Sequence, residues 1–350
     1  MSNLIHERPG VYSVYDTSAV VSGGNAVKKI GVAARAASGE LNSPVTVTGF
    51  AAGVSVFGEG GMSDLLRLLF ASGAGVVSAV RVGDEGTLED YQSAFHALEM
   101  IDAQIVVCDS SDPAVHQALR SMVVDASAAR KERIAVVGGS GDSVQQLTER
   151  ASALNCERMV LVGPDVLDAS GKNVSGVFAA AAVAGLIAGQ KDPALPLNGA
   201  EIKGLSGVAA DYSDNDVDLL VRGGVTPLEC SGGVVSPVRG ITTRSVSGGV
   251  PDSAWRELTS ILIVDDIIPS VRNALRTKFT RSKNTPRGRA AIRSQVIVEL
   301  EKKLAAEIID GYDQVSVSPS PDDPAVCLVE FAFSVAHGLN QIYLSVHITV

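Results

Sequence analysis

Three short runs decide how this chain folds: Ile134-Ala-Val-Val137, Gly138-Gly-Ser-Gly-Asp-Ser143 and Met159-Val-Leu-Val162, with a helix-forming stretch from Ser143 to Leu154 between the last two. The two apolar runs are short, rich in Val and bounded by polar or turn residues. They read as strands. The glycine-rich run is a turn, and the amphipathic stretch after it is a surface helix. Strand, helix and strand in this order make a βαβ unit and therefore part of a parallel sheet.

The same alternation continues outward. Thr87 to Met100 is an amphipathic helix that opens on the capping box Thr87-Leu-Glu-Asp90. Ile105 to Asp109 is a strand, Val115 to Ala129 a helix, and Val174 to Gly189 an Ala-rich helix. Asp214 to Arg222 is a further helix stopped by Gly223-Gly224, and two short strands follow around Thr226–Cys230 and Val234–Val238. Residues 86–245 are thus expected to form an α/β domain with a βαβ layout. Residues 27–85 carry three β-type runs, Val27 to Ala33, Pro44 to Phe50 and Val76 to Val82, and one helix, Ser63 to Ala71. They are expected to form a small β-rich domain of their own.

Residues 246–340 are expected to form a compact α+β domain. Asp266 is placed to cap a helix with the stripe Ile268, Val271, Leu275 and Phe279, which puts Pro269 in its first turn. A second helix carries Ile292, Val296, Leu300, Leu304 and Ile308, with Gly311 to end it. Cys327, Val329, Phe331, Phe333 and Val335 alternate as a strand. The ends read as arms. Residues 1–26 hold the turn Pro9-Gly10, a strand from Val11 to Tyr15 (Val11, Tyr12, Val14, Tyr15) and a hinge at Gly23 and Gly24. Residues 341–350 alternate Ile342, Leu344, Val346, Ile348 and Val350. The fold class is therefore mixed α+β and α/β.

Composition narrows the function classes. The chain has 350 residues, 46% of them hydrophobic but only 4% aromatic, a globular balance far from disorder. A net charge of −10 argues against nucleic acid or an anionic membrane as partner of the whole molecule. Cys108, Cys156, Cys230 and Cys327 are far apart, with no CxxC pair for redox chemistry or zinc, and read as small buried hydrophobes in a reducing compartment. Residues Met1 to Gly10 lack the apolar core of a signal peptide, and the run Val174 to Ala188 is too short to span a bilayer. The expectation is a protein made and folded in a cytoplasm.

The feature closest to an enzyme motif is the turn at residues 138–143, which follows a strand and precedes a helix as a phosphate loop would. Gly139 and Gly141 fit the first two positions of GxGxxG, but Val144 stands at the third, and GxxxxGK[ST] is absent. Asp142 also breaks a GxSxG elbow. An ordinary βα turn is the favoured reading, and a doubly wound enzyme binding a nucleotide there is the alternative. His6, His96, His116, His337 and His347 show no HxxxH spacing. Asp265-Asp266 and Asp322-Asp323 are explained by capping and by a turn. No catalytic, cofactor or metal residues are assigned.

Two features resist a bland reading. Arg272, Arg276, Lys278, Arg281, Lys283, Arg287, Arg289 and Arg293 follow one another with no acid among them, leaving −18 on the rest of a chain that totals −10. A solvated helix face and a surface for an acidic partner both fit. The closing strand ends on an apolar Val350 without the Lys, Pro or Glu that protects an edge, so it pairs either within its own domain or with a neighbouring chain.

Four stretches resemble the tail sheath proteins of contractile phage tails and tailocins. Glu7-Arg-Pro-Gly-Val-Tyr12 is similar to the family's opening. Ala180-Ala-Ala-Val-Ala-Gly-Leu-Ile-Ala188 is similar to its central helix, followed by Gly223-Gly-Val225 and Val238-Arg-Gly-Ile-Thr-Thr243. Phe279-Thr-Arg-Ser-Lys-Asn-Thr-Pro-Arg-Gly-Arg289 resembles the joint before the penultimate helix, and Ile342 to Val350 the closing strand. The resemblance implies an α/β part laid out like subtilisin without hydrolase function, and an inner domain built from both chain ends. It implies sixfold rings stacked around an inner tail tube, with terminal arms adding strands to neighbouring subunits. Implied partners are other copies of the chain, the tube protein, and baseplate and tail terminator proteins, in a virion tail or tailocin particle. A non-contractile shell or capsid subunit is the remaining alternative.

Overall fold

The computed structural model describes residues 28–340. The expected arm residues Val11, Tyr12, Val14, Tyr15, Gly23 and Gly24, and the closing strand with Ile342, Leu344, Val346, Ile348 and Val350, lie outside them.

The described residues open with β1 (Ile30–Ala34), β2 (Pro44–Val47), α1 (Phe50–Phe57), α2 (Gly61–Ala71) and β3 (Val77–Arg81). The alternation read from sequence follows: α3 (Leu88–Glu99), β4 (Ile105–Cys108), α4 (Pro113–Ala128), β5 (Ile134–Gly138), α5 (Val144–Leu154) and β6 (Met159–Gly163). Next come β7 (Val166–Asp168), β8 (Asn173–Val174), α6 (Gly176–Gly189), β9 (Leu205–Val208), α7 (Asp214–Arg222), β10 (Val225–Ser231) and β11 (Val234–Pro237). A small ribbon, β12 (Val246–Ser247) and β13 (Val250–Pro251), leads into α8 (Leu258–Phe279), α9 (Pro286–Ala305), β14 (Ile309–Pro319) and β15 (Cys327–Val335).

One sheet of eight strands, ordered β11-β10-β6-β5-β4-β1-β3-β2, organises the molecule. It is parallel from β10 to β3, with antiparallel strands at both edges. Its side chains alternate between two cores, as the pleat requires. Ala33, Val80, Val106, Ala135, Val137 and Leu161 face α3, α4, α5 and α7. Ile30, Val77, Ile105, Val107, Ile134 and Val136 face α2, α6 and α8. This is the expected α/β architecture, with a helical layer on each face.

Four expectations need correction. Residues 27–85 do not form a separate β-rich unit: β1 pairs with β4 as well as β3, so this region is one side of the central sheet. The expected strand Pro44 to Phe50 stops at Val47, and Phe50 instead opens α1, whose Gly53 lets α2 approach so closely that a Cβ there would lie 2.5 Å from Leu66 Cδ1. The helix assigned to an Asp266 cap begins nine residues earlier, with Glu257 at the cap position and Leu258 as its first residue, because Ile261, Leu262, Ile263 and Val264 are all buried. Pro269 therefore sits inside the helix, where it cannot donate to the carbonyl four residues back. Finally, Ile308 and Gly311 are not in α9, which ends at Ala305; residues 309–319 form a strand paired to β15. Bulges between Ile309 and Gly311 and between Asp313 and Ser316 interrupt its alternation, which hides it from a period-two reading.

Candidate interaction surface

Ligands of doubly wound sheets sit at the carboxyl ends of the strands, above all where the strand order reverses. Here β1 is that point, flanked by β3 on one side and β4 on the other. Its carboxyl end is filled by the chain itself. Arg35, following β1, donates to Asp109 Oδ2 through its backbone N–H at 3.1 Å and through Nε at 3.3 Å, and the Tyr91 hydroxyl donates to Asp109 Oδ1. Burial, reinforced by the Asp109 charge, pushes the Tyr91 hydroxyl well above its ordinary pKa.

The glycine-rich turn is filled in the same way. Asp142 Oδ2 accepts from the Ser140 N–H at 3.2 Å and pairs with Arg150 Nε at 2.9 Å. Asp165 accepts from the Gly141 N–H at 2.9 Å and, through its other oxygen, from the Gly176 N–H at the start of α6 at 2.8 Å. Two carboxylates thus hold the N–H groups that a phosphate would need. Gly138 is glycine because α6 abuts it: a Cβ there would lie 2.0 Å from Gly176 O. The turn is a packing joint between two helix starts and the sheet.

The basic stretch divides. Arg272, expected with the others to contact the inner tube, is instead mostly buried and pairs with Glu132 at 2.6 Å, so it holds α8 to the start of β5. Lys278 Nζ donates to Gln295 Oε1 at 2.5 Å, Arg289 to Asn284 Oδ1 at 2.9 Å, and Arg293 to the Val315 carbonyl at 2.7 Å. Arg276, Lys278, Arg281, Lys283 and Arg287 are exposed. They follow one another through the end of α8 and the α8–α9 joint with no acidic residue between them. Thr285 caps α9 by accepting from the Gly288 N–H, and Pro286 occupies the first helical position. Beside the joint, β14 and β15 form a sheet of only two strands, so among the described residues each has an outer edge without a ladder partner.

Sequence reasoning missed the charges that fasten α8 to the body. Arg158, 2% exposed, grips Asp265 with two nitrogens at 2.8 and 3.0 Å and also donates to the Arg133 carbonyl. Burial raises the Asp265 carboxyl above its ordinary pKa, and Arg158 opposes that shift. Asp266 faces Lys303 of α9 at 3.4 Å. Arg133 donates to the Leu98 and Ile101 carbonyls. The available signal was an Arg or Glu set directly beside an apolar strand, but the Arg158 partner lies 107 residues away, beyond any local pattern.

Comparison with known structures identifies the fold as that of sheath subunits of contractile tails. The contracted helical sheath of the anti-feeding prophage superposes with a TM-score of 0.74 at 14% identity, over 98% of this chain and 99% of that one. The sheath tail protein from Listeria innocua gives 0.74 at 12% identity, over 91% and 94%. The sequence carries the matter further. Residues 85–243 match the phage tail sheath protein central domain and residues 250–349 the phage tail sheath C-terminal domain. The chain belongs to the phage tail sheath family. It is 27% identical over 276 residues to the tail sheath protein of Bacillus phage SP01, an alignment covering 76% of this chain and 47% of that protein. The chain thus spans about half the length of this curated relative.

Proposed function

We propose that the chain is the repeating subunit of a contractile sheath, stacked in sixfold rings around an inner tube that its shortening drives through a target envelope. The observation that carries this reading is the β14–β15 hairpin, which among the described residues has open ladder edges next to an exposed basic joint. The contracted state of the anti-feeding prophage sheath, built on the same fold, supports it.

Two surfaces then take distinct roles. Arg276, Lys278, Arg281, Lys283 and Arg287, with Arg289 beside them, face carboxylates on the inner tube. Exposed pairs contribute only about 0–1 kcal/mol each, enough to hold register and weak enough to release. The terminal strands Val11 to Tyr15 and Ile342 to Val350 add to neighbouring hairpins, with Gly23 and Gly24 as the hinge. Burying the five apolar side chains of the closing strand contributes roughly 1.5–3 kcal/mol each. Ordering its backbone costs about 1–2 kcal/mol per residue, which nearly cancels that gain. Ladder hydrogen bonds of about 1 kcal/mol each decide the balance once a neighbour offers an edge. Baseplate and terminator proteins would close the two ends of such a polymer, within a virion tail or tailocin assembled in the host cytoplasm.

Deleting residues 341–350 tests the linkage. The expected product is a folded, soluble monomer that does not polymerise beside the tube protein. Normal sheaths from the truncated chain would refute strand exchange.

A further inference from the structure

We infer that the segment Gln190–Asn198 is a bracket holding the roots of both terminal segments, so that load arriving on one passes to the other through this loop. This rests on the strand-exchange reading above and adds the route by which subunits would stay linked.

The N-terminal root is Lys28. Its Nζ donates to the Ile187 carbonyl at 3.2 Å and to the Gln190 carbonyl at 3.0 Å, placing a cation on the last turn of α6, where the helix dipole favours it. The acids that face Lys28 are Asp266 of α8 and Asp192 of the segment itself. The C-terminal root reaches the other end of the same segment. Gly338 packs so closely on Pro196 that a Cβ would lie 2.9 Å from its Cγ, and Asn340 Oδ1 accepts from Asn198 Nδ2 at 2.8 Å.

Between these contacts the segment is internally braced. Gln190 Nε2 donates to the Asp192 and Leu195 carbonyls, and the Ala194 N–H donates to Asp192 Oδ1 at 2.9 Å. Pro193 and Pro196 remove two backbone freedoms. Just beyond it, the Gly199 and Ile202 N–H groups donate to the Pro237 and Val235 carbonyls on edge strand β11. A braced loop with one root at each end is a short, stiff path between residues 28 and 340.

Hydrogen exchange read by mass spectrometry on the full-length monomer tests the coupling. Lys28→Met removes the Nζ donor and with it both hydrogen bonds at the first root. The bracket requires faster exchange at 190–198 and also at 336–340, by about tenfold, the factor that one lost hydrogen bond to a charged group carries. Strands β5 and β6 should keep wild-type protection. Asn198→Ala, a milder change at the second root, should in turn speed exchange at 28–30. If each substitution affects only its own contact, the bracket is overturned. Should Lys28→Met not fold, the Asn198→Ala arm decides alone. Polymerisation by the chain lacking residues 341–350 would refute strand exchange without touching this monomer measurement, so the two failures are distinguishable.

Discussion

Helix α8 carries similar charged residues in two different settings. From its start to Arg272, Ile261, Ile263, Val264 and Ile267 enter the core, and the charges along it are paired: Asp265 with Arg158, Asp266 with Lys303, Arg272 with Glu132. From Arg276 onward the helix and the joint after it face solvent, and Arg276, Lys278, Arg281, Lys283 and Arg287 form no ion pair among the described residues. Charge count alone gives the two parts no separate meaning. Environment does: buried, paired charges fix α8 to the body, and the exposed cations remain available to a partner.

Breaking the buried part should have the largest effect. Arg158→Met leaves the Asp265 carboxylate buried without its fork and is expected to cost about 3–5 kcal/mol in urea unfolding. The double variant Arg158→Met with Asp265→Leu should recover most of that loss. If the single variant proves nearly neutral, the clasp does not hold α8.

Acid sharpens the same contrast, because buried titratable groups and not exposed arginines respond to it. His116 is buried, its Nε2 bonded to the Ser110 carbonyl, and burial lowers its pKa from 6.5 to about 4. The folded pKa is depressed, so the unfolded chain takes up the proton first. This contribution is complete above pH 6.5 and is lost as pH falls towards 4. The loss amounts to about 3 kcal/mol at the acid end. His116→Gln should flatten that part of the stability–pH curve, and an unchanged slope would contradict the assignment.

Reversing Arg276, Lys278, Arg281 and Lys283 to Glu should change monomer stability by less than about 1 kcal/mol. Tube attachment should nevertheless weaken, and in the wild type it should weaken with salt. Co-purification of the reversed variant with tubes at low and moderate salt would remove the tube from this surface. At the small end, Arg222→Ala breaks the exposed pair with Asp218 on α7 and should shift stability by under about 0.5 kcal/mol, read from the thermal midpoint.

Much of the fold was legible because it is local. The capping box at Thr87, the helix-forming stretch from Ser143 and the short apolar strands place α3, α5, β4, β5 and β6 nearly to the residue. What escaped depends on distant partners or broken periods. β1 looks like part of a small β domain until β4 is set beside it. β14 hides behind two bulges. The start of α8 is decided by a core that Ile261 to Val264 share with α6 and the sheet. The basic joint was legible as an unbroken charge run. Arg272 was not separable from it, because Glu132 lies 140 residues away.

Electron microscopy of the full chain, expressed alone and with its tube protein, at low and moderate salt, tests the central claim most directly. The account expects stacked rings or sheath-like tubes, with the tube or a baseplate as template where the chain alone does not nucleate. A single sharp monomer under every one of these conditions, or closed shells formed without a tube, would contradict it.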